Sequence, residues 1–68
     1  MSMTLKAARI NAGLRQSDVS KSMHIAVSTL IKWEKGVTYP TAIQLMHLCR
    51  LYECKLDDIF IPETLTLK

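Results

Sequence analysis

Few side chains in this 68-residue chain have the type and spacing that covalent chemistry needs. His24 and His47 stand apart from any nucleophile or carboxylate at a telling spacing, and no Gly-rich phosphate loop occurs. Asp57-Asp58 suits the first turn of a helix, where carboxylates complement the positive end of the dipole. Cys49 and Cys54 are five apart with no His or Cys at metal-ligand spacing, so a structural or incidental role is expected of both. No catalysis, metal or cofactor is therefore expected. What remains is non-covalent recognition. The stretch QSDVSKSMHIAVSTLIKWEKG, Gln16 to Gly36, presents Val27, Ser28, Ile31, Lys32 and Lys35 along one helical face, mixing apolar, hydroxyl and cationic groups.

That face exists only if two helices hold it. Val19 and Met23, four apart, line one side of a first helix, and Leu30 and Trp33, three apart, line a second. The link His24-Ile25-Ala26 is too short for the helices to lie antiparallel, so a steep crossing with Ile25 in the angle is predicted. A helix pair of this size is a device for reading DNA. Upstream, a helix is expected from about Thr4 to Ala12, with Leu5, Ala8 and Ile10 or Ala12 facing inward and Gly13 closing it in a left-handed cap. The next should open at Arg15 or Gln16 and end near Met23; the third should run from about Val27 to Lys35, stopped by Gly36. After a loop to Pro40, Thr41 heads a fourth helix whose Ile43, Leu45, Met46, Leu48, Cys49 and Tyr52 nearly encircle it, as a central helix requires. Leu56 to Phe60 reads as a short fifth helix, followed by Pro62.

The length supports one domain with a small core, because a chain of this size buries only about 60% of its unfolded surface. Charge is unevenly placed. Residues 1–35 hold six basic and two acidic residues, a net +4, whereas residues 36–68 hold three basic and four acidic, a net −1. The positive half carries the helix pair, as expected if it faces phosphates. No signal peptide precedes the two cysteines, which points to a reduced, cytoplasmic protein. No apolar run approaches the ~20 residues that span a bilayer, so no membrane partner is expected.

Several motifs in one order make the chain resemble the phage-repressor and Cro group of helix-turn-helix proteins, the Xre-type family. They are Leu5-x-x-x-Arg9, Gly13-Leu14-x-Gln16, the helix pair, Lys32-Trp33-Glu34-Lys35-Gly36, Pro40, Leu45-x-x-Leu48 and Leu56-Asp57-Asp58-Ile59-Phe60, together covering about Leu5 to Phe60. The resemblance implies an all-α, compact five-helix bundle like that of the lambda repressor, with the third helix in the major groove. It places Val27, Ser28 and Lys32 at base-reading positions and Gln16 at a phosphate. Lys32 suits guanine O6 and N7, Ser28 several base edges, and Val27 a thymine methyl. Ile31 and Thr29 lie at the edges of this face, within reach of the groove, the DNA backbone or solvent. Lys35, Thr38, Tyr39 and Thr41 are expected at phosphates, without the basic loop residues that the family often has. Arg9 and Glu34 are implied to form a partly buried salt bridge, and Trp33 to belong to the core. The chain departs from the family at the turn, with His24 where Gly is usual and Ser20 where Ala is usual. His24 would take a left-handed conformation, or the turn would be built differently.

The reading that results is a sequence-specific DNA-binding regulator, a repressor or Cro-like switch, acting as a homodimer on an inverted-repeat operator. It divides the chain into a helix-turn-helix domain, residues 1–61, and a tail, residues 62–68. The tail alternates Thr and Leu in strand period, and is either frayed or an extended arm that pairs with a second subunit. The competing reading is a protein-interaction module on the same scaffold, modulating another repressor or binding a toxin through Val27, Ile31, Leu65 and Leu67.

Overall fold

The structure, a computed structural model, describes residues 3–59; the Thr-Leu tail, read as either frayed or a pairing arm, and Phe60 lie outside them. Four helices are present: α1, Leu5–Asn11; α2, Gln16–Met23; α3, Val27–Lys35; and α4, Ala42–Leu51. Helices of seven to ten residues are marginal in isolation, so their ends and their packing must hold them. Thr4 caps α1 by accepting the Ala7 N–H at 3.0 Å. Asp18 reaches back to accept the Arg15 N–H at 2.9 Å in front of α2. At α4, Thr41 and Gln44 cap each other: the Thr41 hydroxyl accepts the Gln44 N–H at 3.2 Å and the Gln44 side-chain carbonyl accepts the Thr41 N–H at 2.8 Å.

All four helices stop by the same device. Gly13, His24, Gly36 and Glu53 have φ of 74°, 57°, 79° and 56°, in the left-handed region. The next residue then donates its N–H back across the end: Leu14 to Arg9 C=O at 3.2 Å, Ile25 to Ser20 at 3.0 Å, Val37 to Lys32 at 2.9 Å, and Cys54 to Cys49 at 3.0 Å. The left-handed turn at His24 lets three residues link α2 to α3.

Val19, Leu30 and Leu48 form the fully buried centre, with Ala8, Trp33, Leu45, Cys49, Tyr52 and Ile59 around them. α2 packs on α3 and α4, and α1 on α3. The N- and C-terminal ends of the described chain meet in an isolated parallel bridge between Met3 and Ile59, with the Met3 N–H donating to Asp58 C=O at 2.6 Å. Among the described residues this is all the β structure.

Three expectations are corrected. The fifth helix is only a 3-10 turn, Leu56–Asp58, closed by i→i+3 bonds from Asp58 to Lys55 and from Ile59 to Leu56. Among the described residues the bundle is thus four helices and a turn. α4 is not encircled either, since Ile43 and Met46 are 67% and 53% exposed. Leu45, Leu48, Cys49 and Tyr52 make a single i, i+3, i+4, i+7 stripe, and a one-turn element cannot cover the opposite side. Ile10 and Ala12 also face outward. Ala8 and Arg9 take the inner face of α1, and Ile10 sits about 100° round from Arg9.

Candidate nucleic-acid interface

The inner side of α3 is fixed before its outer side can act. Arg9, on α1, sends its guanidinium to Glu34, near the end of α3: Nε lies 2.7 Å from Oε2 and Nη2 lies 3.3 Å from Oε1. A third guanidinium bond, from Nη1, reaches Leu14 C=O at 3.0 Å. The side chains of Arg9 and Glu34 are only 10% and 5% exposed, so each charge depends on the other. The Glu34 hydrogen bond holds the Arg9 guanidinium above its ordinary pKa, against the opposing effect of burial. Gln16, at the start of α2, donates its side-chain amide to Glu34 Oε1 at 3.1 Å. One carboxylate thereby ties α1 and α2 to α3. Trp33 and Leu30 complete the attachment as buried core residues.

Tyr52 lies close enough for its hydroxyl to feel both charges of the clamp. Burial, helped by Glu34, raises its pKa far above that of a free phenol. The hydroxyl is buried without a hydrogen-bond partner among the described residues.

The outer side is open. Val27, Ser28 and Lys32 are exposed on α3, as is Lys35 in its last turn; Thr29 and Ile31 are half-buried. Ala26 precedes the helix with extended backbone, φ −71° and ψ 147°, and supplies no side-chain cap. The first N–H groups of α3 therefore remain available to an outside acceptor. Thr38 and Thr41 are exposed and Tyr39 is half-buried beside Gly36. Thr41 spends its acceptor on Gln44 but keeps its hydroxyl proton. Of the residues expected at DNA, Val27, Ser28, Thr29, Ile31, Lys32 and Lys35 share one helix, whereas Gln16 is drawn into the clamp, with one amide N–H and its carbonyl left over.

Two helices crossing at a left-handed turn, the second clamped from behind and bare in front, are the frame of a helix-turn-helix. A family model described as helix-turn-helix (HTH_3) matches residues 5–59. The chain belongs to that family. The comparisons with curated proteins and with solved structures gave no match. As an Xre/Cro-type helix-turn-helix protein it is a sequence-specific DNA-binding regulator of the Cro/C1 kind, not an enzyme. Among the described residues no group of side chains could hold a metal ion, and no helix is long and apolar enough to cross a membrane.

Sequence reasoning missed that Gln16 belongs to the clamp and that Tyr52 lies beside it. Gln16 carried a signal, since its amide sits at the start of a helix that must meet the end of α3. Tyr52 carried none beyond its place in an apolar stripe.

Proposed function

We propose that this helix-turn-helix protein is a repressor or Cro-like switch that binds an inverted-repeat operator as a homodimer, with α3 in the major groove. The observation that carries the reading is the division of α3 into a clamped inner side, through Glu34, and an exposed outer side of Val27, Ser28 and Lys32. Lys32 donates to guanine, Ser28 reads a base edge with low discrimination, and Val27 packs on a thymine methyl. Ile31 touches the same groove through its exposed part. Lys35, Thr29, Thr38, Tyr39, Thr41 and the free amide positions of Gln16 contact phosphates. One such helix spans only a few base pairs, so two, centred ~34 Å apart, supply useful specificity. The positive charge of residues 1–35 supports this orientation.

Selection from a random duplex library, followed by titration at physiological salt, tests the reading. The selected duplexes should contain a two-fold repeat with half-sites about one helical turn apart and bind at least ~10³-fold more tightly than random DNA. Equal binding to both would overturn it. A second reading, a module that binds another regulator or a toxin, draws on the apolar share of the same face, with Val27 39% exposed and Ile31 half-buried. It requires that the protein alone fail the selection and bind DNA only with its partner, or keep that partner from DNA.

A further inference from the structure

The long closing bond at each helix end also brings two residues five apart in sequence together. At the first three ends these are Arg9 and Leu14, Ser20 and Ile25, and Lys32 and Val37. At the end of α4 they are Cys49 and Cys54. Cys54 donates its N–H to the Cys49 carbonyl at 3.0 Å, and Glu53, between them, holds the left-handed turn that closes the loop. A closure of this kind draws the two α-carbons toward the ~5.5–6 Å at which disulfides form. Both thiols are free. Burial, with Cys54 as the next cause, pushes the Cys49 thiol up to about 11. Cys54 is only half-buried and opens on a cavity of about 580 Å³ between the ends of α1 and α4, walled also by Met3, Asn11 and Leu14. One thiol is therefore reachable and its neighbour sheltered.

We propose that Cys49 and Cys54 form a thiol–disulfide exchange site that accepts a small disulfide of the glutathione type. The Cys54 thiolate attacks one sulfur of the external disulfide, making a mixed disulfide and releasing one small thiolate, which takes up the proton Cys54 has lost. Cys49 then gives up its proton and attacks the Cys54 sulfur, expelling the second small thiol. Two protein thiols are oxidised and one external disulfide is reduced to two thiols. The second step is the slower, because Cys49 is buried in its protonated form and only the thiolate attacks. The product staples the last turn of α4 to the segment leading into Ile59 and its bridge to Met3. The backbone turn that the disulfide closes is already formed, so side-chain rotation brings the sulfurs together and the helices survive oxidation.

The test incubates the folded full-length chain with excess glutathione disulfide, quenches samples with acid, and follows intact mass and thermal melting by circular dichroism. Wild type should pass through a one-glutathione adduct to a monomer about 2 Da lighter than the reduced protein, with helicity kept and Tm raised by several degrees. Cys49→Ser and Cys49→Ala should both stop at the adduct. Cys54→Ser, checked for native helicity, should react at least ~10-fold more slowly than wild type, because its remaining thiol is sheltered. The proposal is overturned if wild type also stops at the adduct, if disulfides form only between molecules, if Cys54→Ser reacts as fast as wild type, or if the oxidised monomer loses its helices.

Discussion

Glu34 accepts bonds from two helices, and its removal leaves a buried guanidinium without its counter-charge. Glu34→Ala should therefore cost ~3–5 kcal/mol in urea denaturation, far above the loss from an exposed pair. Arg9→Lys keeps the charge but not the two-pronged contact, and should fall between wild type and Glu34→Ala. Asp18 works differently, at the surface. The Arg15 N–H holds its carboxyl below the ordinary value of 3.8, so the unfolded chain binds this proton more readily than the folded one. Its contribution is complete above about 3.8 and disappears as pH falls through the lower, folded value. Replacing it with Asn should thus flatten the dependence of stability on pH in that acid window and leave the slope near neutrality unchanged.

At the level of elements, the four left-handed stops differ in what occupies them. Gly36 is suited to its φ of 79°, and a Cβ there would meet only the Tyr39 hydroxyl at 3.9 Å. Gly36→Ala should still lose about 1 kcal/mol, a conformational cost rather than a steric one. Glu53 sits in the same region with a full side chain, so Glu53→Gly should gain ~0.5–1 kcal/mol, read as a Tm several degrees higher. The bounds of α3 were legible because Gly36 and the Leu30-Trp33 spacing mark both its end and its inward side. The left-handed turn at His24 was half legible: the position usually held by Gly suggested it, while a turn built differently stayed open until φ was seen to be 57°. The turn at Glu53 was not legible, since nothing about glutamate signals that conformation. The exposed side of α4 was hidden for a different reason. Periodicity reports that Ile43 and Met46 are apolar but not whether a neighbour covers them, and the neighbour expected from Leu56 to Phe60 is one turn long. The acceptor pattern around Glu34 depends on tertiary distances that no local spacing encodes.

For the molecule as a whole, the basic half carries the exposed side of α3, while the loop from Gly36 to Pro40 contains no cation. Binding to a selected operator should therefore weaken with salt less steeply than for a protein that releases about ten ions. Lys32→Ala should relax preference at one base position by ~1–3 kcal/mol. Lys35→Ala should weaken all duplexes alike and reduce the salt slope by about one. Competition titrations at several salt concentrations separate these outcomes. Because Glu34, Trp33 and Leu30 hold α3 from one side only, the residues at 27, 28 and 32 can change with almost no effect on folding. New operator preferences are then accessible by single substitutions through intermediates that all remain folded, so a gene duplicate could diverge from its parent without first acquiring stabilising changes elsewhere.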